Sequence, residues 1–158
     1  MTGSHDRCFQ DYYDDDMNHC YGCGQLNDHG LRIQSRWEGD EAVARFRPKE
    51  YHTAIPGYVY GGLIASLIDC HGTGTAAAAG YRQEGREMDT EPRLRYVTAS
   101  LNVEYLRPTP IDGVLELRGC VQDVKGRKTV VAISLYAGGD ECARGTVTTV
   151  RIPDDWGK

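Results

Sequence analysis

The sequence predicts an α+β domain in which an antiparallel β-sheet covers one long helix, in the order β-β-α-β-β-β-β. Three observations predict it. Leu63, Ile64, Leu67, Ile68 and His71 recur at helical spacing within one stretch, residues 58–80. A hairpin pattern precedes that stretch, and four segments of alternating side chains follow it. The 158 residues, 40% hydrophobic and 26% charged, suit a single domain with a full core.

Residues 1–18 include Asp11-Tyr12-Tyr13-Asp14-Asp15-Asp16, acidic and without an apolar period, which predicts a mobile or loosely docked arm ahead of one domain over 19–158. From 31 to 37 the residues approximate core and solvent alternation. Gly39-Asp40 makes a turn, and 41–46 return as the second strand. The helix closes on an alanine-rich tail at 75–79. Gly72 and Gly74 each weaken such a helix by roughly 1 kcal/mol relative to alanine, which implies that another backbone packs closely there. A charged loop over 82–95 leads to strands at 98–106, 114–123, 128–137 and 142–152. Pro108-Thr109-Pro110, Lys125-Gly126 and Gly138-Gly139-Asp140 separate them. In the first of these strands Ala99, Leu101, Val103 and Tyr105 share one face, and Ser100, Asn102 and Glu104 the other.

Composition excludes several functions. No run approaches the roughly 18 apolar residues of a membrane span, and the first twenty residues are polar and acidic rather than a signal, so the expectation is a cytoplasmic protein with no membrane partner. With 18 Lys and Arg against 23 Asp and Glu, the net charge of −5 speaks against a nucleic-acid partner. Six cysteines in a chain that can build a core are expected as reduced thiols. Cys20-x-x-Cys23, with His19 and His29 near, has the form of half a zinc site. No second Cys-x-x-Cys exists, so no metal is expected.

The chemistry concentrates between His52 and Asp69. A Pro56-Gly57 turn leads to Gly61-Gly62 at the helix start, where amides without helical acceptors point outward and can hold an oxyanion. Seven residues beyond Gly62, Asp69 interrupts an apolar segment. A carboxylate in such surroundings costs several kcal/mol unless it is partnered. Ser66 or Thr73, its helix neighbours, would satisfy a purely structural Asp69. At 1.5 Å rise per residue, Gly62 and Asp69 lie roughly 10 Å apart along the axis, too far to serve one carbonyl. Joint action therefore requires two chains, which predicts a homodimer with sites at its interface and admits a dimer of dimers, a homotetramer. His71, about 200° around the helix from Asp69, carries little weight as its partner.

Between Cys20 and Arg151 the sequence resembles the hotdog-fold acyl-CoA thioesterases of the phenylacetate-degradation type. Their helix opens on His-Gly-Gly and carries a catalytic acid nine residues after the histidine; here Tyr60-Gly61-Gly62 leads to Asp69 at that spacing. The strand Thr98-Ala99-Ser100-Leu101-Asn102-Val103-Glu104-Tyr105 with Leu106-Arg107-Pro108 and the opening Cys20-Tyr21-Gly22-Cys23-Gly24 are also similar to the family. The resemblance implies a hotdog fold and hydrolysis of an acyl-CoA thioester without metal or organic cofactor. It assigns Asp69 as general base or nucleophile, the Gly62 amide to the thioester oxygen, and Thr98 to positioning water or Asp69. Tyr60, Gly61, His52 and Ser66 would contact substrate.

Two positions depart from the family: Tyr60 replaces the histidine, and Ala54 stands where some relatives have asparagine. Tyrosine can donate a hydrogen bond but is no general base near neutral pH. A hotdog hydratase or dehydratase would want that histidine; a non-catalytic acyl-CoA-binding protein would not. Coenzyme A phosphates require cations. Arg82, Arg86, Arg93, Arg95 and Arg107 stand among as many acids, whereas Lys125, Arg127 and Lys128 make a cleaner basic turn and join the substrate-binding set as Arg127 and Lys128.

Overall fold

In a computed structural model, residues 6–157 are described. Strands β1 (Ser35–Glu38) and β2 (Glu41–Phe46) form the expected hairpin, turning at Gly39 with φ of 63°. Helix α1 (Gly61–Gln83) follows, then β3 (Arg95–Tyr105), β4 (Leu115–Lys125), β5 (Lys128–Ala137) and β6 (Asp140–Ile152). The six strands make one antiparallel sheet in the order β1-β2-β4-β5-β6-β3. This is the hotdog arrangement that the resemblance implies, with α1 packed against the sheet. No helix among the described residues is long and apolar enough to cross a membrane.

The core lies between α1 and the strands. Leu63, Ile64, Leu67 and Ile68 pack against Leu117, Val131, Ile133, Leu135 and Val147, all buried. Two glycines set the spacing. A Cβ on Gly72 would lie 2.5 Å from Val147 Cγ2, and one on Gly145 would lie 2.6 Å from Ile68 Cγ2. The close approach expected at Gly72 and Gly74 is thus made by side chains rather than backbone: Val147 meets Gly72, while Gln10 and Tyr13 meet Gly74.

The amino-terminal segment differs from the expected loose arm, whose residues 1–5 lie outside the described residues. From Cys8 onward the chain is packed, with Cys8, Phe9 and Gln10 buried. Phe9 stacks edge-on with Trp37 at 5.3 Å, and the Gln10 side-chain carbonyl accepts from the Ser35 amide at 2.9 Å. Asp14 and Asp16, which made the segment look solvated, pair with Arg93 and Arg95. Its acidity is complemented by residues some eighty positions away.

His71 is a core residue. The Ala42 carbonyl can only accept, so His71 Nε2 carries the proton it donates at 2.9 Å, and Nδ1 accepts from the Ser35 hydroxyl at 2.8 Å. Burial pushes its pKa down to about 4. An unfolded histidine titrates near 6.5, so between those two values the unfolded chain binds more protons and the fold loses stability as pH falls, by up to about 3 kcal/mol. Urea unfolding at pH 7 and pH 4.5 should show this loss. His71→Gln, which has a donor and an acceptor but does not titrate, should show a smaller difference between the two pH values.

Candidate active site

Asp69 faces β3, and its partner comes from there. Thr98 Oγ1 donates to Asp69 Oδ1 at 2.5 Å. The helix neighbours do not serve it: Ser66 donates to the Gly62 carbonyl at 2.8 Å and Thr73 to the Cys70 carbonyl at 3.2 Å. Ser66, expected against substrate, has its hydroxyl proton committed to its own helix.

A β-bulge makes the Asp69–Thr98 contact. Thr98 pairs with Thr149, but Ser100 pairs with Thr148, so Ala99 is an extra residue. Beyond the bulge Leu101 opposes Val147 and Val103 opposes Gly145, the β6 positions that meet α1. Strict alternation would put Ala99 on that face and Thr98 on the other. The bulge instead places Thr98 with Leu101, Val103 and Tyr105, where it reaches the helix.

The start of α1 is the second half of the arrangement. Tyr60 is the N-cap; its amide donates to the His52 carbonyl at 2.9 Å, and its own carbonyl accepts from Leu63 at 3.1 Å. Among the described residues the Gly61 and Gly62 amides have no backbone acceptor, as first-turn amides do not. The Tyr60 ring lies so close over Gly62 that a Cβ there would overlap it, yet 58% of Tyr60 remains exposed. Tyr105, at the far end of β3 from Thr98, donates its hydroxyl to the Gly61 carbonyl at 2.7 Å. His52 Nδ1 accepts from the Lys49 amide at 2.9 Å, and its ring packs beside Phe46 and Tyr51. Burial, with the Lys49 charge, lowers its pKa. Its visible work is to shape the loop that holds Tyr60.

A cavity of about 360 Å³ opens beside Asp69 and Thr98. Tyr12, Tyr13 and Met17 line it together with Tyr81, Leu94 and Tyr96. The amino-terminal segment therefore builds the site, which sequence reasoning missed; its aromatic residues among the acids were the available signal. Cys20, Cys23 and Cys70 line the same cavity, their sulfurs within 4.8 Å of one another. The third sulfur comes from α1, next to Asp69, and not from a second Cys-x-x-Cys.

Lys125, Arg127 and Lys128 form the β4–β5 turn, with Gly126 at φ of 61°. Lys128 pairs with Val150 and Val150 with Val97, so the turn lies two strand spacings, roughly 10 Å, across the sheet from the residue before Thr98. Among the described residues these three cations make no ion pair. Arg82, Arg86, Arg93, Arg95 and Arg107 are each paired with an acid.

Comparison with known proteins identifies the family and the fold. The family model described as the thioesterase superfamily matches residues 56–143. A thioesterase superfamily protein from Shewanella loihica PV-4 is 47% identical, with a TM-score of 0.68 over 89% of this chain and 100% of that one. The PaaI protein from the phenylacetic acid degradation operon of E. coli, 19% identical, shares the fold with a TM-score of 0.61 over 78% of this chain and 81% of its own. The acyl-coenzyme A thioesterase THEM4 of Mus musculus is 33% identical over 95 residues, 60% of this chain and 35% of that protein. The rat protein of that name is 30% identical over 113 residues, 72% of this chain and 43% of its own. The chain thus spans less than half the length of these curated relatives. It belongs to the thioesterase superfamily.

Proposed function

We propose that the protein hydrolyses an acyl-CoA thioester at sites shared between two subunits, with Asp69 as general base or nucleophile. The observation that carries this reading is the Thr98–Asp69 hydrogen bond, made possible by a bulge beside the cavity. Thr98 occupies Oδ1 and leaves Oδ2 available. In the general-base route Asp69 takes a proton from water as the water oxygen attacks the thioester carbon. The resulting oxyanion accepts from the Gly62 amide, and collapse breaks the C–S bond with the proton returning to the leaving thiolate. In the nucleophilic route Oδ2 attacks the carbon, the C–S bond breaks and the thiolate leaves; water then hydrolyses the mixed anhydride to the free acid and the Asp69 carboxylate, and its proton goes to the thiolate. The acyl group would occupy the aromatic cavity, and Arg127 and Lys128 would meet the phosphates.

The second subunit is needed because Gly62 and Asp69 belong to one uninterrupted helix, roughly 10 Å apart along its axis. Strand β3 supports the pairing. It is a sheet edge of 11 residues, and Leu101 and Tyr105 are exposed on the face that meets α1 elsewhere. A long unprotected edge is a template for another strand. A two-fold axis crossing between Leu101 and Asn102 would bring Thr98 opposite Tyr105 of the partner subunit. Asp69 and Thr98 of one chain would then meet the helix start of the other.

Release of free thiol from a panel of acyl-CoAs tests the reading; turnover of at least one is expected, and tight binding of all without release would favour the non-catalytic acyl-CoA-binding alternative. Leu101→Lys, placing a charge at the axis, should yield monomers by sedimentation and abolish turnover together with assembly. An active monomer would overturn the shared site.

A further inference from the structure

We infer that Cys20, Cys23 and Cys70 form a three-sulfur site for one soft divalent cation of the zinc type, set in the wall of the cavity beside Asp69. The spacing fits. A tetrahedral zinc site with Zn–S bonds of about 2.3 Å has sulfur–sulfur edges of about 3.8 Å. The Cys20 and Cys70 sulfurs are 3.7 Å apart, and all three lie within 4.8 Å of one another.

The chain is built to bring them together. Gly22 lies between the first two cysteines, directly over the third: a Cβ there would overlap Cys70 Sγ. A Cβ on Gly24 would lie 2.6 Å from the Asn18 carbonyl and overlap the Cys20 amide. The turn is closed by the Gly24 amide on the Cys20 carbonyl at 2.8 Å and pinned by Leu31 on Tyr21 at 2.8 Å and Ile33 on Gly22 at 3.1 Å. This is a rigid knuckle seated on α1, not a loop with incidental thiols. Packing alone does not call for three polarizable sulfurs converging beside a cavity.

The three sulfurs converge as a donor set. The Cys20 and Cys70 sulfurs lie within hydrogen-bond distance of each other, and either can be the donor. A divalent ion would displace the thiol protons: the three sulfurs become thiolates on the metal, and the protons leave to solvent. Three protein ligands leave a tetrahedral ion one donor short, and the cavity can supply the fourth from water or from a thiol in the site. This assignment does not depend on hydrolysis.

Zinc itself is the probe, titrated into the full chain under a phosphine reductant against a chromophoric chelator. One ion per chain is expected, with release of protons measured by calorimetry in buffers of different ionisation heat. Cobalt in its place should show thiolate charge-transfer absorption. Cys20→Ser, at an exposed position, should weaken zinc binding about a hundredfold or more, as should Cys70→Ala. Cys120→Ser, an exposed cysteine elsewhere, should leave it unchanged. Metal-free melting curves confirm that each variant folds. Absence of stoichiometric binding at micromolar zinc would overturn the site, and so would affinity unaltered by Cys20→Ser.

Discussion

Asp69→Asn should lower turnover of a cleavable acyl-CoA by about a hundredfold or more while leaving KM within a few-fold. A hundredfold corresponds to about 2.7 kcal/mol of barrier. Asparagine keeps the volume and can still accept from Thr98, so the Asp69–Thr98 geometry survives. What it cannot do is take a proton from water or attack a carbonyl carbon. Thr98→Val removes the donor to Oδ1 and leaves the carboxylate in place, so its loss should be smaller, about tenfold. If Thr98 acts only by holding Asp69, the second substitution should cost little in the Asp69→Asn background, a non-additivity that two independent contacts would not show. Equal rates for wild type and Asp69→Asn would remove Asp69 from the chemistry. Single-turnover hydrolysis in oxygen-labelled water separates the two routes, since label enters the Asp69 carboxylate only when that carboxylate is the nucleophile.

Why the elements could be read in advance while parts of the site could not is a matter of range. The helix and the β5 and β6 strands follow from local periodicity, and their apolar faces are the ones that meet in the core. The glycine turns at Gly39 and Gly126 are equally local. The bulge at Ala99 is not: no glycine marks it, and it moves Thr98 to the helix face only because β6 opposes it in a particular register. The resemblance picked out Thr98 by position, where alternation alone turns it away from Asp69. Cys70 was visible as a helix residue, but its meeting with Cys20, fifty positions away, depends on Gly22 fitting over its sulfur. The amino-terminal segment misleads for the same reason. Its carboxylates read as solvated until Arg93 and Arg95 are brought beside them, and its aromatic residues then have a cavity to line.

Mixing two inactive variants should restore activity, because each would carry the half-site the other lacks. Gly62→Pro is the partner to Asp69→Asn. It deletes the amide hydrogen proposed to hold the thioester oxygen, at a first-turn position where proline is tolerated and no helical hydrogen bond is lost. The side chain it adds must displace the Tyr60 ring, which is largely exposed and free to swing outward. Loss of such a donor costs about a hundred- to a thousandfold in turnover. When the two variants are unfolded together and refolded as an equal mixture, about half the dimers are mixed, and each mixed dimer has one site with both Asp69 and an intact Gly62 amide, so about a quarter of wild-type activity should return. If Asp69 and Gly62 served a carbonyl from within the same subunit, every site in the mixture would lack one of them and the mixture would stay as inactive as its components. Recovery near a quarter would therefore fix the boundary of the active site across two chains, and with it the reason that a helix whose start and middle are roughly 10 Å apart can carry both halves of one reaction.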